Sequence, residues 1–403
     1  MAGLNPSCQN SISHRQGTIM NPAKPYPAGR QPAGLYIHIP FCLSRCGYCT
    51  FPSGVYNSDL ADAYLIALEN ELHVRDYFSS AYLPETIFIG GGTPSCLSLK
   101  QLDKLLSLLP QPIVGEATCE LNPDSCDREK LQLLLQYGIN RVSFGVQTFN
   151  NQGLRLLQRR HSAETARKAV SLAVHMGFSS VNVDIIHGWP GQTDELLLDD
   201  LINIVDLEVQ HISSYTLIVD ADACCYDQYR ALLGGDEVDG DRGRRYWEKI
   251  ENFLENKGFR HYETSNFCRD GYQCLHNVAT WRGGEYLGIG LGACSHIEGE
   301  RFGNTTDINT YIQCSNVKDA VVAYREKLEG EEKARECAVF WLRLFDGVEL
   351  DAFFTQTGFD FCTLYNDVLP GLLREGILEM GKGRVWVARR YQPVLDSVLE
   401  QLI

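Results

Sequence analysis

From Leu35 to Leu217 the chain alternates short, β-rich apolar runs with amphipathic helical patterns, and this alternation restricts the fold more than any other feature. The strand candidates are Leu35–Ile39, Thr86–Ile89, Ala117–Leu121, Arg141–Val146, Val181–Ile186 and Ile212–Leu217. Between them the helical patterns are regular. In Ser98–Leu109, Ser98 and Gln101 suit a capping box, and Leu99, Leu102, Leu105, Leu106 and Leu109 fall on one face. Six such repeats imply parallel strands joined by right-handed crossovers, hence an α/β fold with a partial (β/α)6 barrel of the TIM type. In barrels of this kind chemistry gathers at the C-terminal ends of the strands.

The unusual residues of the sequence fall at those ends. After the first strand comes the run from Tyr36 to Cys49 with Cys42, Cys46 and Cys49, three thiols on one short loop. That spacing suits a cubane iron–sulfur cluster with one iron left open to a reactant. A structural zinc site wants four N/S ligands and would have to recruit His38; a disulfide would leave one thiol unpaired. Gly90–Ser95 ends the second strand, Glu120–Asp124 the third, Gly145–Phe149 the fourth and Asp184–Pro190 the fifth. Each alone reads as a turn, a cap or a satisfied buried amide. Their coincidence on the rim that carries the cysteine loop points to a site.

Gly91, Gly92 and Thr93 offer backbone groups at close range, suited to an amino-acid moiety. The run lacks the G-x-G-x-x-G spacing of a dinucleotide fingerprint. The later Gly288–Gly292 segment, with no helix opening after it, reads as close-packed backbone against a ligand base. Glu120 and Asp184 can accept from hydroxyls or an ammonium group, and Arg159 can bind a carboxylate. Arg155 and Arg160 read as a solvated helix face.

Fifteen cysteines are scattered along 403 residues without a signal peptide or an apolar stretch of bilayer length, so a reducing cytoplasm is the expected compartment. A net charge of −15 opposes binding to nucleic acid. Residues 1–33 read as a flexible leader. Residues 348–403 carry two short helical patterns, a hairpin through Met380–Arg384 and a final helix, an α+β module that looks winged-helix-like. Its eight acidic and five basic residues give a charge of about −3, which suits protein contact better than nucleic acid.

The cysteine run, Gly90–Ser95, Gly145–Gln147 and Asp184–Pro190 together resemble radical S-adenosylmethionine (SAM) proteins of the coproporphyrinogen-oxidase-like group. Tyr262–Phe267, Gly271–Trp281 and Tyr286–Gly292 are most similar to the heme-chaperone branch of that group. The resemblance covers most of the chain after residue 34. It implies a [4Fe–4S] cluster on Cys42, Cys46 and Cys49, with SAM on its open iron. It places Tyr36, Tyr48, Gly91, Gly92, Thr93 and Glu120 against SAM, and Gln147, Arg159 and Asp184 in the wider cofactor pocket. It implies heme as cargo with His276 as an iron ligand, a heme-accepting partner protein, a low-potential electron donor and peripheral contact with a membrane. The oxidase carries a further Cys where this chain has Phe51, which separates the chain from the decarboxylase. Two positions depart from the heme-chaperone branch. Thr280 stands where that branch has Tyr, and Cys294 where it has His, with His296 two residues on. The rival reading is an oxygen-independent coproporphyrinogen III oxidase or another radical SAM enzyme such as a methyltransferase. The expected divisions are the leader at 1–33, the barrel at 34–260, an extension typical of the branch at 261–345 and the C-terminal module at 346–403.

Overall fold

The computed structural model describes residues 34–403 apart from residues 77, 79–82 and 235–239. The leader expected over residues 1–33 lies outside the described residues. The chain enters as β1 (Gly34–Ile39), and the cysteine loop follows at once. Two very short parallel strands, β2 (Phe41–Cys42) and β3 (Gly54–Val55), pinch the loop at its base. Gly54 N donates to the carbonyl of Pro40 (2.7 Å) and Tyr56 N to that of Cys42 (2.8 Å), so the loop leaves the rim and returns to it at one point.

The alternation then runs through β4 (Thr86–Gly91), β5 (Glu116–Leu121), β6 (Arg141–Gln147), β7 (Ser180–His187) and β8 (His211–Thr216). Neighbours pair in parallel in the order β1-β4-β5-β6-β7-β8. All six expected strands form, each within a residue or two of its expected ends. Alternate side chains, such as Leu35, Ile37, Ile87, Ile89, Val142, Phe144, Val181 and Val183, pack under the helices in one core. The other parity lines the concave lumen with Tyr36, Phe88, Thr118, Glu120, Arg141, Ser143, Asn182 and Asp184. The helix Leu99–Ser107 carries the expected capping box, while Leu99, in its first turn, is exposed rather than buried.

The sheet extends beyond these six strands at both edges. The antiparallel strands β9 (Arg260–Glu263) and β10 (Asn266–Cys268) flank β8, while β11 (Tyr286–Ile289) adds to β1 in parallel. The strands β12 (Cys294–Ile297), β13 (Glu300–Asn304) and β14 (Val322–Lys327) continue outward from β11 in antiparallel fashion. One 12-stranded sheet results. A smaller antiparallel sheet joins β15 (Val348–Glu349), β16 (Leu378–Gly381) and β17 (Arg384–Val387) in the order β15-β17-β16. A second core packs it, drawing Tyr262, Cys268, Val278 and Trp341 together with Phe353, Phe361, Val385 and Leu399.

Candidate cofactor site

The cysteine loop sits over the C-terminal ends of β1, β4, β5 and β6, and a belt of polar side chains ties it there. Thr93 Oγ1 donates to Cys42 Sγ (3.6 Å) and accepts from Asn122 Nδ2 (3.0 Å). Asn122 Oδ1 in turn accepts from Arg159 Nη2 (2.6 Å), whose Nη1 donates to Cys46 Sγ (3.2 Å). Two of the three thiols are thus held by the rim. Arg159 Nη2 also donates to the carbonyl of Gly145. In this structure the guanidinium therefore meets sulfur, amide and carbonyl rather than a carboxylate. Arg155 and Arg160 are exposed, as expected. Burial pushes the Cys42 and Cys49 thiols up, so binding a metal there must release protons.

Tyr48 leaves the loop toward a separate apolar cluster that includes Leu157, Trp189, Leu217 and Tyr229, and so anchors the loop to the ends of β7 and β8. Tyr36 O–H lies 2.9 Å from His38 Nδ1, and His38 Nε2 lies 2.9 Å from the carbonyl of Pro52. Both nitrogens of His38 are engaged, and the imidazole takes no place among the thiols. Among the described residues no three His, Cys, Asp or Glu side chains converge as a single ion would require.

The glycine run packs against the protein itself. Gly91 N donates to Glu120 Oε2 (3.1 Å), Gly92 N to the carbonyl of Ile39 (2.8 Å) and Thr93 N to that of Phe41 (2.7 Å). These amides are therefore spent on the protein itself. Gly91 has φ +106°, and a Cβ on it would lie 2.5 Å from the His38 ring. A larger residue at position 91 would thus disturb the rim before any ligand arrived. The Gly288–Gly292 segment is close-packed too, but against protein: Gly290 N donates to Glu71 and Leu291 N to Tyr64 O–H.

Glu120 sits one step below the rim. Burial, with the charge of Asp184 next in weight, raises its carboxyl to about 8, against the opposing pull of Gly91 N–H and Arg141. Asp184 accepts from Asn182 Nδ2 (2.7 Å) and Ser143 Oγ (3.2 Å), and burial raises it also. Gln147 holds φ +70° at an irregularity where β6 pairs with β7. Its amide nitrogen would lie 3.0 Å from a Cβ on Gly145, with Asn122 Oδ1 and Arg159 Nη2 at 3.1 and 3.2 Å, so three polar side chains converge over that glycine. Of the expected site residues, Thr93 and Arg159 thus reach the loop thiols, Gly91 bonds to Glu120, Gln147 and Arg159 meet over Gly145, and Glu120 feels the charge of Asp184.

His276 lies at the other end. Its Nδ1 is 2.9 Å from Thr86 Oγ1 at the start of β4, its ring centroid is 5.3 Å from that of Phe88, and burial pushes its pKa down to about 4. It belongs to a plug that closes the barrel floor, where Glu116 Oε1 accepts from His276 N (3.2 Å) and Cys274 Sγ (3.4 Å). From this floor a directed chain of hydrogen bonds climbs to the rim. Cys274 N donates to Tyr262 O–H, which lies 2.9 Å from His211 Nε2; His211 Nδ1 lies 2.6 Å from Asn182 Oδ1, and Asn182 reaches Asp184. Sequence reasoning missed Asn122, Arg141 and this chain. Asn122 lay within a segment singled out for its position, whereas Arg141, buried with its Nε unpaired among the described residues, begins a strand that reads as plain core.

Comparison with known proteins places this geometry. The Radical SAM superfamily profile matches residues 36–201. The heme chaperone HemW of Lactococcus lactis is 30% identical over 93% of this chain and 98% of its own length. HemW of Bacillus subtilis is 32% identical over 88% of this chain and 95% of its own, and HemW of Haemophilus influenzae 34% over 86% and 92%. Among solved structures, the radical SAM enzyme coproporphyrinogen III oxidase (HemN) of Escherichia coli superposes with a TM-score of 0.81. That match covers 94% of this chain and 91% of that one at 23% identity, a likeness of fold. By identity sustained over nearly its whole length, the chain belongs to the HemW heme chaperone family of radical SAM proteins.

Proposed function

We propose that Cys42, Cys46 and Cys49 hold a [4Fe–4S] cluster, that SAM binds beside it along the rim, and that the protein carries heme to acceptor proteins. The observation that carries this reading is the belt Thr93–Asn122–Arg159, which fixes two loop thiols over a polar lumen in a chain whose relatives are heme chaperones. The donor set fits. Three thiols on one clamped loop supply three corners of a cubane, and the Arg159 guanidinium donates a hydrogen bond to Cys46 Sγ that helps to fix the loop.

The rim residues have distinct parts to play. The carbonyls of Gly91 and Gly92 would receive the amino group of SAM, and Glu120 and Asp184 would accept from its ammonium or ribose hydroxyls. When bound, the cluster supplies a low-potential electron for cleavage of SAM, and the protein contributes orientation and exclusion of side reactions. Phe51, exposed at the foot of the loop, puts an aromatic ring where the oxidase has a thiol.

Anaerobic reconstitution should give about four irons and four sulfides per chain, as a cubane requires, and Cys46→Ser should abolish this. Stoichiometric zinc without charge-transfer absorption would refute the cluster. On the same sample, hemin should shift the Soret band while coproporphyrinogen III stays intact. Release of carbon dioxide at enzymic rates would instead assign the oxidase activity.

A further inference from the structure

A second clamp grips the cysteine loop, and two adjacent thiols are built into it. The segment that leads into the helix Tyr226–Leu233 lies against Gly47. Cys225 N donates to the carbonyl of Gly47 (3.0 Å), and Cys224 Sγ donates to the carbonyls of Gly47 (3.7 Å) and Cys46 (3.8 Å). Gln158 Nε2, next to Arg159 in the chain, donates to Cys225 Sγ (2.8 Å). Tyr229, in the first turn of the helix, donates its O–H to the carbonyl of Leu156 (2.7 Å). The fit is close at Gly47, where a Cβ would lie 2.6 Å from Tyr229 Oη and 2.9 Å from Cys225 Sγ. Loop, helix and thiols are therefore in contact, and a change at either sulfur reaches the loop.

The two thiols differ in access. Cys224 is the one exposed cysteine among the described residues, whereas Cys225 is half-buried and hydrogen-bonds to its neighbour's thiol. Neither belongs to the belt of Thr93, Asn122 and Arg159 or to the three thiols assigned to the cluster. An exposed thiol touching a sheltered one is the pairing that thiol–disulfide exchange requires: an attacking sulfur within reach of solvent, and a resolving sulfur beside it.

We propose that Cys224 and Cys225 form a thiol–disulfide exchange site for low-molecular-weight disulfides, whose oxidised form loosens the cluster loop. The Cys224 sulfur attacks the small disulfide, forms a mixed disulfide with one half of it, and releases the other half as a thiol carrying the Cys224 proton. The Cys225 sulfur then attacks the Cys224 sulfur, so that the bond between the two cysteines forms and the second thiol leaves with the Cys225 proton. The cysteine pair loses two electrons and the small disulfide gains them. An S–S bond is much shorter than a hydrogen-bonded contact between thiols, so closure must move the sulfurs. It also removes the S–H that Cys224 gives to the carbonyls of Cys46 and Gly47. The exchange stands on the two thiols alone, while its effect on the cluster rests on the cluster reading above.

Full-length, cluster-loaded protein incubated anaerobically with glutathione disulfide, then mapped by peptide mass spectrometry, tests this. The wild type should gain a Cys224–Cys225 disulfide that dithiothreitol reverses. Cys225→Ser should instead retain one glutathionyl group on Cys224, and Cys224→Ser should gain neither. The hydroxyl in Cys224→Ser can still donate to the loop carbonyls, so this variant keeps the clamp and loses the exchange. Oxidation should speed the stripping of the cluster by an iron chelator severalfold in the wild type and leave the rate unchanged in Cys224→Ser. Wild type without the Cys224–Cys225 bond, or glutathionyl uptake on Cys225 in Cys224→Ser at the rate seen on Cys224, overturns the site and leaves the cluster reading standing. Formation of the bond with no change in the rate of iron loss overturns the link to the loop. Protein that gains the bond but never loads iron and sulfide overturns the cluster reading and keeps the exchange site.

Discussion

Glu120 shows at a single residue how the site balances charge before any ligand arrives. Its carboxyl lies near that of Asp184 in a lumen with one buried guanidinium, Arg141, and burial raises it to about 8 from an ordinary 4.5. Between those values the folded protein holds a proton that the unfolded chain has lost. Stability is therefore fully present below about pH 4.5 and falls as pH rises toward 8, by about 1.4 kcal/mol per pH unit within the window. Histidines act the other way at lower pH. His161, His187 and His276 are pushed down to about 4, so their contribution rises between pH 4 and 6.5 and is flat above. Between pH 6.5 and 8 the histidine contribution is flat and the decline comes from buried carboxyls, Glu120 throughout and Asp200, raised by burial to about 7, in the lower part of that range. Glu120→Gln should flatten the decline of the melting temperature across that range in ligand-free protein. A variant that loses stability with pH as steeply as the wild type would show that Glu120 is already ionised. On the SAM placement proposed above, saturating SAM should also flatten the decline in the wild type.

Among the elements, the six parallel strands were legible in the sequence because short runs with apolar residues at alternate positions, such as Leu35–Ile39 and Val181–Ile186, recur between amphipathic helical patterns. The capping box at Ser98 was legible for the same local reason. What the sequence hid is pairing at a distance. Tyr286–Ile289 carries no mark that sends it alongside Gly34–Ile37, some 250 residues earlier. Likewise, the chemistry of the lumen residues depends on which strand lies next to which, so Arg141 and Asn182 looked like ordinary strand positions. The long-range joint at β11 has a specific fastener in the helix Ser58–Arg75. Glu71 Oε1 pairs with Arg75 Nε (2.8 Å) and accepts from Asn304 Nδ2 (2.8 Å), while Oε2 accepts from Gly290 N (2.9 Å) and Tyr311 O–H (2.6 Å). Both charged side chains are almost wholly buried, at 2% and 1% exposure. Removing one partner strands the other, at a cost of about 3–5 kcal/mol. Arg75→Met should lower the free energy of unfolding in urea by that amount, and the double variant Glu71→Gln/Arg75→Met should recover part of it. Full additivity of the two changes would mean that the pair does not couple helix to sheet.

On the scale of the molecule, the two cores divide the chain differently from the expected boundaries. The barrel core takes residues from Leu35 to Val322, so the sheet strands of the expected extension belong with the barrel. The second core straddles residue 346. Before it come Tyr262, Cys268, Val278, Ala338, Trp341 and Leu344, and after it Val348, Phe353, Phe361, Val385 and Leu399. A cut at residue 346 would therefore open a core rather than a linker, leaving Trp341 and its neighbours facing water. Burial of large apolar side chains is worth about 1.5–3 kcal/mol each, so the loss is comparable to the whole stability of a typical domain. Deletion of residues 346–403 should thus yield a chain that aggregates, or elutes far larger than a monomer, even when its cluster ligands are intact. Gel filtration and calorimetry decide the matter. The full chain should melt with the C-terminal sheet and the neighbouring edge of the barrel in one transition. A truncated chain that stays monomeric and melts at the wild-type temperature would make the last 58 residues an appendage to the barrel.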